Sequence, residues 1–149
     1  MLMPKKHEWI LLALRYKPLD RVRLMKALFL FWWENKDKLE NYFEFKPYLY
    51  GPCSFEVYKV LEKLEQARLI VQLPQPIQEW SPYYLTPRGE REAKKIEDQL
   101  VEAVPELAES FRSTVEEVTR LSFRNLLRKV YGDAPEYATR SVIREAVGL

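Results

Sequence analysis

Apolar positions along the chain fall into alternating helical and extended stretches. Within residues 5–16, KKHEWILLALRY, Trp9, Leu12 and Tyr16 share one helical face, widened by Ile10, Ala13 and Leu14. Pro18 stops this helix, and Asp20 is placed to cap the next. Residues 21–34 begin amphipathic and become apolar almost all round over ALFLFWW (27–33), which predicts a central helix packed on several sides. Trp32 and Trp33 at its end either close the core or present an aromatic contact surface. Lys26 is a charge within this apolar run, set either to pair with a carboxylate or to snorkel at the helix edge.

Residues 35–41 are polar and read as a loop. YFEFKPYLY (42–50) alternates weakly and is rich in aromatics, which predicts a strand with Pro47 at an edge or bulge. Gly51 and Pro52 then turn the chain, and Ser54 stands where a helix cap belongs. The clearest helix follows at 54–68. Val57, Val60, Leu61 and Leu64 form its inner stripe, and Phe55 and Tyr58 extend that stripe against the body. A strand at 69–73, an irregular tip at 74–82 and a returning strand at 83–85 lead to Thr86 and Pro87, the cap and first position of another helix. Helix, strand, loop, strand, helix is the order a winged helix-turn-helix shows after its third helix. The tail is helical from about 104. A short stripe (Leu107, Ala108, Phe111) is followed by a helix from 114 or 115 to Gly132, then a last segment at 134–137. The fold class expected is mainly α with a small β-wing: one winged helix-turn-helix-like domain over 1–149 with extra C-terminal helices.

Charge changes this picture little. The net charge is +2, with ten Lys/Arg against six Asp/Glu in residues 1–50 and seven against eight in each of 51–100 and 101–149. The single cysteine excludes an internal disulfide framework, and with one histidine it argues against a Cys/His metal site. No glycine-rich phosphate loop is present and no cofactor is indicated. Cys53 has no histidine near it in sequence and reads as a packed turn residue; His7 reads as a surface residue. The run 27–33 is too short to span a bilayer, and a cytoplasmic location without membrane is expected.

Two surfaces remain as binding candidates. For nucleic acid, helix 54–68 offers Lys59 and Lys63, but three carboxylates stand among them; Arg120, Arg124 and Arg128 recur every four residues in the tail. For protein, Trp32, Trp33, Ile77, Trp80 and Tyr83 are candidate anchors, since the wing tip LPQPIQEWSPYY has no Arg or Lys. Self-association through the apolar face of 27–33 is a further expectation.

Three ordered motifs resemble the Panacea, or SocA-like, antitoxin domain over about 20–145. These are Leu24-Met25-Lys26-Ala27-Leu28-Phe29; Tyr50-Gly51-Pro52 with Glu56-Val57-Tyr58; and Leu126 to Tyr131 followed by Ala134-Pro135-Glu136-Tyr137 and Ser141. Ala27 stands where the family pattern prefers Leu, and Cys53 where it prefers Val. The resemblance implies a non-catalytic intracellular protein of a toxin–antitoxin system that works by binding a protein partner, a toxin. Within it, Gly51, Pro52 and Ser54 are expected to be architectural, and Lys26 is the polar residue singled out for contact. The alternative is a winged-helix regulator that binds double-stranded DNA.

Overall fold

The computed structural model describes residues 3–49, 51–76 and 80–138. Among them are six α-helices: α1 (Lys6–Tyr16), α2 (Arg21–Asn35), α3 (Phe55–Gln66), α4 (Pro87–Ala103), α5 (Pro105–Arg120) and α6 (Phe123–Asp133). Two antiparallel hairpins interrupt them, β1 (Lys46–Tyr48) with β2 (Gly51–Cys53), and β3 (Ile70–Gln72) with β4 (Tyr83–Leu85). The chain is mainly α with a small β-wing. Leu19, between α1 and α2, bridges Tyr83 of β4, whose N–H donates to the Leu19 carbonyl at 2.8 Å. The order is therefore helix, bridge, helix, hairpin, helix and hairpin, with β1–β2 between the second and third helices.

Centrality is shared between two helices. The run Trp9–Leu14 on α1 is buried without interruption, so α1 is apolar all round where it meets α3, α4, α5 and β4. On α2, every residue from Leu24 to Phe31 is buried, Lys26 included. Ala27, Leu28, Phe29, Leu30 and Phe31 are spent on the chain's own core, which removes that stretch as a self-association face. Trp9, Phe31 and Phe111 meet at centroid distances of 4.7–5.0 Å, tying α1, α2 and α5 together.

Two expected elements change. Of 42–49, only Lys46–Tyr48 is strand; Tyr42, Phe43 and Phe45 are buried in irregular chain, with the Tyr42 hydroxyl donating to the Leu28 carbonyl at 2.8 Å. The tail breaks at Leu121–Ser122, not near 113. Leu121 is extended, and the Ser122 hydroxyl accepts from the Asn125 N–H at 3.1 Å, so α5 ends and α6 starts there. Among the described residues no helix is long and apolar enough to cross a membrane.

Candidate contact face

The turn from β1 into α3 is built by groups that reach it from below. Pro47 and Pro52 are register partners across the β1–β2 ladder. Neither has an N–H, so they occupy the non-hydrogen-bonded position of the ladder, where the Pro52 carbonyl points away from β1. Lys26 supplies one: its Nζ donates to the Pro52 oxygen at 3.2 Å from a fully buried position on α2. The side chain neither pairs with a carboxylate nor snorkels, and, being fully buried, it is not the surface contact residue expected either. Burial lowers the Lys26 pKa to about 8, opposed by the neighbouring Cys53.

Gly51 has φ +93°, in the region L side chains avoid, and lies directly on the Tyr131 ring of α6: a Cβ there would stand 2.9 Å from Cε1. The Ser54 N–H points to the Met25 sulfur at 3.3 Å. Ser54 occupies the cap position of α3, but its hydroxyl makes no capping hydrogen bond. Gly51, Pro52 and Ser54 are thus each tied to α2 or α6. Cys53 is buried with them. Burial raises its thiol pKa, while Lys26 and a hydrogen bond with Tyr58 pull it down.

The outward side of the same turn is apolar. Phe55, expected to anchor α3 against the body, is instead 55% exposed, and Leu49 is 40% exposed. The Phe55 ring stands edge-on to Tyr48 at 5.1 Å and 6.3 Å from Tyr58, over which Arg21 stacks at 5.3 Å. Further along α3, Lys59 and Lys63 are exposed beside the equally exposed Glu62 and Glu65. Glu56 is taken up by Lys6 of α1, both oxygens at 3.0 Å from Nζ. The face is mixed in sign, with no basic stripe.

The described residues of the wing separate into inward side chains and an outward strand face. Tyr83 is core, and Trp80 is half-buried, edge-on to Phe123 at 4.8 Å with Arg23 stacked at 5.9 Å. These two expected anchors face the body. Val71, Leu73 and Tyr84 make the exposed side, Val71 and Tyr84 being register partners. Ile77 lies outside the described residues, as do Tyr50 and Ser141 of the sequence motifs. Trp32 and Trp33 are half-buried against Phe29, Phe45 and Tyr137, and Lys36 covers Trp33 with its Nζ 3.7 Å from the ring centroid.

The arginine row does not run along one helix, because the chain breaks between Arg120 on α5 and Arg124 and Arg128 on α6. All three are exposed, and none pairs with a carboxylate among the described residues. Glu116 pairs with Arg112 at 2.9 Å and Glu117 with Lys129 at 3.4 Å. Two clefts of about 440 and 380 Å³ lie elsewhere, the first between Met3, Glu8, Glu40 and Ile96, the second between His7, Glu56, Val60 and Leu69. Neither is lined by Lys26 or Cys53. Among the described residues no group of three His, Cys, Asp or Glu is placed to hold a metal ion.

Sequence signals for Phe55 and Leu49 were weak, since an aromatic at the first position of an amphipathic helix reads equally as core. No protein-family model matches the chain, and no curated protein matches it.

Proposed function

We propose that this protein is a non-catalytic binding module whose partner is another protein, an antitoxin-like role in which the turn of residues 46–55 meets the partner. The observation that carries this reading is the division of the turn. Gly51, Pro52 and Ser54 are fastened inward, while Leu49 and Phe55 stand in water beside Tyr48 and Tyr58. Aromatic groups on a fixed support anchor protein interfaces well, because little conformational entropy is lost on docking. A cytoplasmic location belongs to the same proposal.

Affinity capture with quantitative mass spectrometry tests it. The tagged wild type should enrich one specific protein, and a folded Phe55→Asp variant should lose it by about tenfold or more. Equal capture by both would overturn the assignment of the face.

A second reading, duplex DNA binding, is favoured by one observation: Arg120, Arg124 and Arg128 are exposed with no carboxylate partner among the described residues. Fluorescence anisotropy with duplexes at two salt concentrations decides it. A salt-dependent affinity lost in an Arg124→Gln/Arg128→Gln variant would support it, and no binding at low salt would remove it.

A further inference from the structure

A lysine buried among Leu24, Met25, Ala27 and Leu28 forfeits most of its hydration. No carboxylate acts on it among the described residues; Cys53 on β2 is the one titratable group that does, and Tyr58 on α3 reaches Cys53 in turn. Tyr131 of α6 meets the turn at Gly51. What Lys26 has is one acceptor, the Pro52 carbonyl at 3.2 Å. That acceptor has a specific need: Pro47 and Pro52 form a non-hydrogen-bonded register pair, so the buried Pro52 carbonyl points away from β1 and must find its donor elsewhere. A three-residue hairpin is weak in water on its own, and this one has a proline pair at its centre. Its attachment to α2 therefore depends on side chains.

We infer that Lys26 is the positioning residue of the contact face: its amine supplies the donor for the buried Pro52 carbonyl, which points away from β1, and so holds the turn at the angle that carries Leu49 and Phe55 outward. The purpose of that face rests on the protein-binding reading above, but the positioning itself needs no partner to be measured. Replacing Lys26 by Met removes the donor and relieves the burial of an ammonium. Local and global effects then separate. The core keeps or gains stability, while the hairpin loosens.

Amide hydrogen exchange of the whole chain near pH 7 reads this directly. In Lys26→Met, amides of 46–54 should exchange about tenfold faster than in the wild type, with those of 70–72 and 83–85 unchanged. Lys26→Gln, which keeps a donor, should recover part of that loss. A second readout uses the wild-type side chain itself and covers the case in which Lys26→Met does not fold. In NMR titrations of a Cys53→Ser background, the Gly51 and Ser54 amide shifts should follow the Lys26 side chain with one midpoint, below an ordinary lysine's because burial lowers it and the opposing Cys53 charge is gone. Unchanged hairpin exchange in folded Lys26→Met, or Gly51 and Ser54 amides that ignore the Lys26 titration, would overturn the inference. Either outcome leaves the Phe55→Asp capture result standing, so the two failures are distinguishable.

Discussion

The two hairpins of this chain are fastened by different means. The wing is held through its backbone: Tyr83 donates to Leu19, and the Leu69 carbonyl accepts the Thr86 N–H at 3.1 Å. Side chains only finish the job there, with Trp80 laid on Phe123. The β1–β2 hairpin is not held that way: among the described residues no backbone hydrogen bond joins it to a neighbouring element. Its attachments rise from the helices beneath, from Met25, Lys26 and Tyr131. A backbone-held hairpin can present any side chain outward. A hairpin held by side chains must spend its inner ones on attachment, and here that leaves Leu49 and Phe55 for the outside.

The contrast can be broken at each anchor. The largest effect is expected at the base of the wing. A Cβ on Gly89 would lie 2.0 Å from the Leu69 carbonyl oxygen, a backbone atom that moves only if α4 or the strand moves. Gly89→Ala should cost about 3 kcal/mol, lowering Tm by on the order of 10 °C in thermal unfolding.

Next comes the pH dependence of Lys26. Its folded pKa of about 8 lies below a lysine's ordinary 10.5, so the unfolded chain binds the proton more tightly. Stability from this group is therefore lowest below pH 8 and rises between the two values. Measured by denaturant unfolding, the wild type should gain about 2 kcal/mol on Lys26→Met between pH 7 and pH 9.5. Making both measurements in a Cys53→Ser background removes the opposing contribution of Cys53, whose raised pKa itself depends on Lys26.

Gly51→Ala should cost less than Gly89→Ala, about 1.5 kcal/mol. Its φ is strained for alanine, but the obstacle is the Tyr131 side chain, which can yield. The two helix starts give the smallest and sharpest comparison. Thr86 accepts the Gly89 N–H at 3.1 Å, whereas Ser54 makes no capping bond. Thr86→Ala should cost about 1 kcal/mol, and Ser54→Ala less than about 0.5 kcal/mol. Equal losses would mean that Ser54 caps α3 in solution.

The regular parts of the fold were legible in advance. The apolar periodicity placed α1, α2, α3 and both wing strands, and Asp20 and Thr86 cap as their positions suggested, Asp20 accepting the Arg23 N–H at 2.8 Å. Periodicity says nothing of breaks inside a helical pattern. The end of α5 depends on whether Ser122 bonds to Asn125, which only the local backbone decides, and the arginine row was split by it. Phe55 failed for a related reason. Position 55 lies on the stripe's edge, and the tilt of α3 against Tyr48 determines which side of that edge is wet. Lys26 was visible as an anomaly but not as a solution, because its acceptor is a carbonyl 26 residues away, in a strand pair whose register no pattern specified.

The division of the turn into an inner clamp and an outer face is tested most directly by quantitative partner capture with Phe55→Asp at matched folding. Phe55 is more than half exposed, so the variant should unfold within a few degrees of the wild type and yet capture the partner about tenfold less. Capture at the wild-type level by a folded variant would contradict the division and place the contact elsewhere on the molecule.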